Sequence, residues 1–338
     1  MLVEILVQAG RAALGRADHE EVREHGASVP LTAAKLGVQD GRGRRAKMIH
    51  IATVHWMSGR WIDIQLDYLR RNIDRPYRVW ADLERIDPRH AAGFDVTTDF
   101  SAESAEGGVA HAQKLNLLAS LIAEQADPAD TLIFLDGDAF PVQPLGDFLE
   151  DCLARYPLAA IRRDESLGDV QPHPSFCATT VGFWREIGGD WSRGPEWTWK
   201  NALGWTVEDV GGKLLWILNE RGIDWLPLLR TNAATLHPLL FGVYEHRIYH
   251  HGAGFRPVFE RTDRHLAGKV PPLPTNLPLE PPASPVGKLI WKIRAKVWYL
   301  TKKRGVAKRE ERLTRRNFEL SEQVFSMIQE DEAFYERL

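Results

Sequence analysis

Cysteines and long apolar runs are scarce in this sequence, and each absence excludes a class of protein. Cys152 and Cys177 are the only cysteines among 338 residues, so no disulfide framework is predicted and a reducing compartment, the cytoplasm, is expected. No apolar run reaches the roughly 18 residues of a membrane span. The opening MLVEILVQAG is short and carries Glu4, which makes it a poor signal peptide. The protein is therefore expected to be soluble or peripherally attached to a membrane.

Net charge is small as well. The formal net charge of −3 argues against a general nucleic-acid binder, so no nucleic-acid partner is expected. Hydrophobic residues make up 44% of the chain, enough to bury the core of one large domain. We expect four parts: an N-terminal extension at 1–47, an α/β domain at 48–260, a Pro-rich linker at 261–285 and a basic amphipathic helical tail at 286–338.

Strand and helix patterns alternate along the α/β domain. Apolar residues at helical spacing predict helices, and short apolar runs predict buried strands. The expected elements are a strand at 48–56, a helix at 62–73, strands at 77–80 and 94–97, a helix at 109–123 preceded by Gly107-Gly108, a strand at 132–135, a helix at 144–156 and a strand at 159–162. The segment QPHPSFCATT, rich in small and polar residues, is predicted to be a loop. This order implies a mostly parallel sheet with helices on its faces.

The stretch TLIFLDGDAFPV contains the strongest chemical signal. Its apolar run predicts a strand buried on both faces that ends at Asp136-Gly137-Asp138. Ligands bind at that edge of open α/β sheets, and paired carboxylates there can hold Mg²⁺ or Mn²⁺ beside a phosphate. An EF-hand loop is excluded because Phe140 and Pro141 occupy its fifth and sixth positions. A phosphatase of the haloacid dehalogenase type is disfavoured because its acidic pair follows the first strand of the domain.

Two further patterns carry chemistry. Glu208-Asp209 precedes a predicted helix, where Asp209 is either a catalytic carboxylate or only a cap of the helix. His250-His251 lies in IYHHGAGFR. Between these motifs and the strand, four tryptophans stand outside any periodic pattern and form either a packed aromatic cluster or the wall of a binding site: Trp191, Trp197, Trp199 and Trp205.

Together, the three motifs resemble those of the GT-A class of nucleotide-sugar-dependent glycosyltransferases, most like the family 2 group, over residues 48–260. The resemblance implies a Rossmann-like fold with a mixed, mainly parallel sheet. It also implies that Asp136 and Asp138 bind Mn²⁺ or Mg²⁺, which bridges the donor diphosphate. Asp209, or with less support Glu208, would be the base of an inverting reaction. A late histidine, His250 or His251, would be a further metal ligand.

The same resemblance implies donor contacts elsewhere in the domain. They are placed at the end of the first strand, after the second strand, on the helix before the acidic triplet and within the triplet: Thr53, Val54, His55, Asp82, Lys114, Asn116 and Gly137. Lys114 either pairs with the diphosphate or lies on a solvated helix face. The segment QPHPSFCATTVGF departs from the glycine-rich stretch usual in this class, so sugar and acceptor specificity stay open.

The tail predicts a helix with an apolar face and many lysines and arginines. A basic amphipathic helix with aromatic flanks is typical of a membrane-surface anchor, which would place the protein at the inner face of the plasma membrane. The alternative is a helix packed on the α/β domain with a solvated basic face.

Three functions compete. The leading one is a metal-dependent transfer of sugar from a nucleotide-diphosphate donor to a hydroxyl on a glycan, a glycolipid or a small molecule. The second, a nucleotidyltransferase that makes nucleotide sugars, is disfavoured because TVHWMSGRW lacks a glycine-rich loop after the first strand. The third is a non-catalytic scaffold of the same fold, which the intact acidic motifs make less attractive.

Overall fold

A computed structural model describes residues 47–100, 107–257 and 284–338 of the chain, without the side chains of 295–307 and 309. The predicted extension at 1–47 and linker at 261–285 lie almost wholly outside the described residues, as does the end of the α/β domain at 258–260.

The described residues form twelve strands, numbered in chain order. They are β1 (Ile49–Trp56), β2 (Tyr77–Glu84), β3 (Val96–Thr98), β4 (Thr131–Asp136), β5 (Ala139–Pro141), β6 (Leu158–Ile161), β7 (His173–Thr180), β8 (Trp199–Lys200), β9 (Thr206–Val207), β10 (Leu226–Leu228), β11 (Gly242–Tyr244) and β12 (Ile248–His250). Seven of them make the central sheet in the order β10-β6-β7-β4-β1-β2-β3. β7 runs antiparallel to both of its neighbours, while the remaining pairs in this sheet are parallel.

Helices cover both faces of this sheet. The α-helices are α1 (Ile62–Asn72), α2 (Gly107–Gln125), α3 (Gly146–Arg155), α4 (Val181–Ile187), α5 (Gly212–Glu220) and α6 (Pro285–Glu330). Alternate residues of β4 face opposite cores: Phe134 packs with α2 and α5, whereas Ile133 packs with α1 and α3. The predicted fold class, a mixed and mainly parallel α/β sheet flanked by helices, is confirmed.

The interpretation of QPHPSFCATT as a loop is wrong. Most of it is β7, which lies between β6 and β4 in the middle of the sheet and is buried along nearly its whole length. Its small side chains fit under the helices on both faces, and Thr179 satisfies its hydroxyl by donating to the carbonyl of Pro157 at 2.8 Å. Burial of small residues decides the structure here against weak strand propensity.

A second, antiparallel sheet of β11, β12 and β5 adjoins the first. The C-terminal part of α6 packs beside it, because Val324, Ile328 and the following Phe334 are buried against Trp61 and Phe140. The tail predicted at 286–338 is therefore partly integrated into the α/β domain. Among the described helices, none combines the length and apolar character that a membrane span requires.

Candidate metal and donor site

The acidic triplet lies where the two sheets join. β4 ends at Asp136 and β5 begins just after Asp138. A Cβ atom at Gly137 would lie only 2.6 Å from the carbonyl oxygen of Val54 and 2.7 Å from Nδ1 of His55. Glycine between the two aspartates therefore lets the triplet approach the end of β1.

β12 brings His250 to the aspartates. His250 pairs with Ala139 in the antiparallel ladder of β12 and β5. Its Nε2 lies 3.7 Å from Oδ2 of Asp136 and 3.5 Å from Oδ1 of Asp138. Burial alone would raise the pKa of Asp138, but its interactions with His250, His251 and Arg256 outweigh burial and lower that pKa below its usual value.

These three residues fit a divalent cation. One ligand atom from each of Asp136, Asp138 and His250 lies within 4.8 Å of the others. Oδ1 of Asp136 is buried without a hydrogen-bond partner, which is costly for a carboxylate oxygen unless a ligand satisfies it. Two carboxylates and one imidazole are oxygen and nitrogen donors of the kind that Mn²⁺ accepts.

His251 belongs to a different environment. Successive side chains of a strand point to opposite sides, so His251 turns away from the aspartates. It is fully buried, its ring stacks on Phe255 with centroids 5.0 Å apart, and its Nδ1 lies 2.8 Å from the Tyr249 hydroxyl. Of the two histidines proposed from the sequence, the structure brings His250 to the triplet and places His251 in the aromatic core.

His111 also reaches the site and was missed by sequence reasoning. It lies in the first part of α2, and its Nε2 is 3.0 Å from Oδ1 of Asp136, although the contact lacks hydrogen-bond geometry. The side chain is 27% exposed, so it is accessible to a ligand. The sequence signal that could have identified His111 is its position three residues before Lys114, on the helix that precedes the strand ending at Asp136.

Gln65 of α1 ties the end of β1 to the triplet. Its Nε2 donates to the carbonyls of Asp136 and Ala139 at 2.8 Å each. Its Oε1 accepts from the Thr53 hydroxyl at 3.2 Å and lies 3.1 Å from Nε2 of His55. Burial lowers the pKa of His55 to about 4. Thr53 and His55, predicted to contact the donor, are thus buried and hydrogen-bonded inside the protein, where they fix the floor of the site.

Asp82 and Lys114 form a buried ion pair. Nζ of Lys114 lies 2.5 Å from Asp82 and 2.8 Å from Glu84, and its side chain is 2% exposed. The other oxygen of Asp82 accepts from the Thr98 hydroxyl and the Phe100 amide, each at 2.8 Å. Neither interpretation of Lys114 from the sequence holds, since it lies neither on a solvated face nor free to meet a diphosphate.

Asn116 is engaged on the far side of α2. Its amide nitrogen donates to Asp190 at 2.7 Å, and its oxygen accepts from the Trp191 backbone at 2.9 Å. The predicted donor contact of Asn116 is replaced by a link to the loop after α4. Trp191 itself is fully buried beside Phe134, as the packed-cluster interpretation of the tryptophans proposes for that residue.

The acidic pair precedes α5 by several residues. The N-cap of α5 is Gly211, so the interpretation of Asp209 as a helix cap is wrong. Asp209 pairs with Arg163 at 3.0 Å and is 34% exposed, while Glu208 pairs with Arg193 at 3.1 Å. Asp209 thus has a charged partner and remains accessible.

His173 lies between the metal-binding group around His250 and the pair of Arg163 with Asp209. It begins β7, and its ring centroid is 5.8 Å from that of His250. β6 and β4 both end beside the start of β7, because Ile161 pairs with His173 and Leu135 pairs with Phe176. Burial first, and then the positive charge of Arg163 and of the neighbouring histidines, lowers the pKa of His173 well below its usual range. The pair of Arg163 with Asp209 and the group around His250 therefore share one edge of the sheet.

Solved structures similar to this chain are glycosyltransferases. The bifunctional glycosyltransferase WbbM is 12% identical, with 42% of this chain and 33% of WbbM covered, at a TM-score of 0.33. The galactosyltransferase LgtC, in complex with donor and acceptor sugar analogues, is 13% identical, with 40% and 59% covered, at 0.30. The mannosyltransferase PcManGT from Pyrobaculum calidifontis, in complex with GDP-Man and Mn²⁺, is 14% identical, with 42% and 46% covered, at 0.30.

The match spans less than two thirds of each of these proteins. No family model matches the chain, and no curated protein matches it. At these TM-scores the function of the chain has to be inferred from the geometry of its own site.

Proposed function

We propose that this protein is a metal-dependent glycosyltransferase that moves a sugar from a nucleotide-diphosphate donor to a hydroxyl acceptor with inversion. The observation that carries the proposal is the convergence of Asp136, Asp138 and His250 at the sheet edge that also holds Asp209. A set of metal-binding side chains next to an accessible carboxylate, at the carboxyl edge of an α/β sheet, suits chemistry on a bound phosphate ester.

Asp136, Asp138 and His250 would hold Mn²⁺ or Mg²⁺ against the donor diphosphate. When bound, the cation supplies Lewis-acid stabilisation of the charge that develops on the leaving phosphate oxygens. His111 is 27% exposed beside Asp136, and it would donate a hydrogen bond to the same oxygens.

Asp209 would act on the acceptor. Its carboxylate takes the proton of the acceptor hydroxyl as the oxygen forms a bond to the anomeric carbon. The bond from that carbon to the diphosphate breaks, and its electron pair leaves with the diphosphate. The products are the glycosylated acceptor, the nucleoside diphosphate and the proton now on Asp209.

The direct test replaces Asp209 and its neighbour in parallel. Asp209→Asn should lower the release of nucleoside diphosphate from a nucleotide sugar by about 100-fold or more, because base catalysis typically contributes that much. Glu208→Gln is the matched control, since Glu208 faces Arg193 instead of Arg163, and should stay near wild type. Full turnover by Asp209→Asn would remove Asp209 as the base.

We also propose a lipid surface as a partner, which would place the protein at the inner face of the plasma membrane and favour a glycolipid acceptor. The first turns of α6 carry apolar side chains on one face that are 51–68% exposed: Val286, Leu289, Ile290 and Ile293. Exposed Lys288 and Lys292 flank them, as in interfacial helices.

Wild type should sediment with vesicles rich in anionic phosphatidylglycerol and not with neutral phosphatidylcholine. Equal sedimentation of a Leu289→Ser, Ile293→Ser variant would refute this partner.

A further inference from the structure

Three charged side chains lie in a row beside the site. Nη2 of Arg163 is 2.9 Å from Oδ2 of Asp169 and 3.0 Å from Oδ2 of Asp209. Exposure increases along the row, from 5% at Asp169 through 23% at Arg163 to 34% at Asp209. One nitrogen with two N–H donors thus joins a buried carboxylate to an accessible one.

Both oxygens of Asp209 are held. Oδ2 accepts from Arg163, and Oδ1 accepts from the backbone amide of Val210 at 2.8 Å. Asp209 itself lies in irregular structure between β9 and α5. The backbone carbonyl of Asp209 accepts from the Gly212 amide at 3.2 Å, and the hydrogen bond from Arg163 is the contact that links the carboxylate to the central sheet.

Arg163 is fixed in turn. It stands two residues after the end of β6, next to the start of β7, because Ile161 pairs with His173. The opposing carboxylate of Asp169 is buried, and burial together with the charge of Asp209 raises its pKa despite the attraction of Arg163. Both carboxylates accept from Nη2 of Arg163, so the guanidinium is held between them.

We propose that Arg163, anchored by Asp169, is the positioning residue that aims the Asp209 carboxylate at the acceptor oxygen. Near Arg163, Tyr244 donates to Glu165 at 2.6 Å. These two groups pair with each other and do not replace the contact between Arg163 and Asp209. The inference rests on the proposed function, since it assigns Arg163 a role through Asp209. A misaligned base costs turnover without weakening donor binding.

The test compares Arg163→Gln, Arg163→Lys and Asp169→Asn in the full-length protein. The assay is release of nucleoside diphosphate with water as acceptor, using the best donor from a panel of uridine, guanosine and thymidine diphosphate sugars with manganese. Arg163→Gln should lower kcat by about 100-fold with the donor KM within twofold of wild type. Arg163→Lys should recover part of kcat, because a lysine keeps the positive charge but lacks the planar guanidinium that fixes the direction of the donors. The kcat of Asp169→Asn should lie between those of Arg163→Gln and Arg163→Lys.

Arg162→Gln is the control. Arg162 is the preceding residue, and it makes its own ion pair with Asp164 at 2.7 Å, away from Asp209. Arg162→Gln should match wild type in both kcat and the donor KM. A kcat for Arg163→Gln within twofold of wild type, or an equal loss in Arg162→Gln, would overturn the inference while leaving the proposed function in place.

Two outcomes separate failure of the inference from failure of the function. If wild type releases no diphosphate with any donor, the proposed function fails and this role of Arg163 fails with it. If Arg163→Gln does not fold, as shown by loss of the thermal transition, Arg163→Lys decides. Wild-type kcat in that variant contradicts the need for the fixed geometry of a guanidinium, and a reduced kcat at unchanged KM supports it.

Discussion

At the scale of the residue, Gly137 shows how little space the acidic triplet has. An added Cβ would meet the carbonyl of Val54 at 2.6 Å, so Gly137→Ala must push the triplet away from β1. We expect a loss of about 1–3 kcal/mol in the free energy of unfolding and a loss of manganese-dependent nucleotide binding. Urea unfolding and a thermal-shift titration measure the two effects.

Gly93→Ala is the matched control for that change. A Cβ at Gly93 would meet only the end of the flexible Leu66 side chain, so both quantities should stay near wild type. Unaltered nucleotide binding in Gly137→Ala would show that the triplet tolerates displacement and that its close approach to β1 is not needed for binding.

Adjacent histidines give a second prediction at this scale. His250→Ala should retain the stability of the fold and lose manganese binding, because His250 faces Asp136 and Asp138. His251→Ala should retain manganese binding and lose about 2–4 kcal/mol of stability, because it leaves a cavity among buried aromatic rings. Calorimetric metal titration and urea unfolding of both variants measure the contrast. The opposite pattern would reassign the late metal ligand to His251.

Single residues also show what the sequence reveals. Asp136 and Asp138 were predictable because a buried strand runs into them, and the strand alone fixes their place at the sheet edge. The choice between His250 and His251 depends on the register of β12 with β5, which joins residues more than a hundred positions apart. Gln65 and Lys114 are polar residues on helices, and their roles come from burial against residues distant in the chain.

At the scale of the element, α6 combines a packed end with an exposed beginning. Phe334, just beyond the helix, is fully buried, and its ring centroid lies 4.9 Å from that of Tyr249. Phe334→Ala should cost about 3–5 kcal/mol of unfolding free energy. Leu289→Ala, at a side chain that is 59% exposed, should change stability by less than about 0.5 kcal/mol. Equal, small effects in urea unfolding would show that the tail is separable from the domain.

Elements differ in how far their sequence determines them. β4 follows from a continuous apolar run and α1 from buried residues at helical spacing. β7 lacks that signal, since its small residues are suited to a strand only once helices cover both faces of the sheet. The pairing of α6 with Trp61 is likewise a matter of tertiary contact, because an amphipathic pattern does not identify the surface it meets.

At the scale of the whole molecule, buried neutral histidines make stability depend on pH. Burial lowers the pKa of both His55 and His237 to about 4. Nδ1 of His237 accepts from the backbone amides of Leu239 and Leu240, and protonation would remove both bonds. The unfolded chain binds these protons near pH 6.5, so stability is complete above that pH and is lost as the pH falls towards 4. Each histidine contributes up to about 1.4 kcal/mol per pH unit.

Urea unfolding at pH 7.5 and 5.5 measures this loss. In His237→Asn the amide oxygen can still accept from the backbone but does not titrate, so the loss between the two pH values should shrink by about 1 kcal/mol. His246→Asn, at an exposed position with φ of 55° that asparagine tolerates, should leave the loss unchanged. Identical losses in the wild type and both variants would contradict the buried, neutral state of His237.

Metal-dependent nucleotide binding is the property of the whole site on which the proposed function depends, and thermal unfolding with nucleoside diphosphates measures it. Wild type and Asp138→Asn are melted with uridine, guanosine, cytidine and thymidine diphosphates, each with and without manganese. A ligand at one hundred times its Kd adds about 2.7 kcal/mol, or several degrees for a domain of this size. We expect at least one nucleotide to stabilise wild type only when manganese is present, and Asp138→Asn to abolish the shift. No shift with any nucleotide, or a shift that survives without metal or in Asp138→Asn, would contradict a metal-dependent donor site at the acidic triplet.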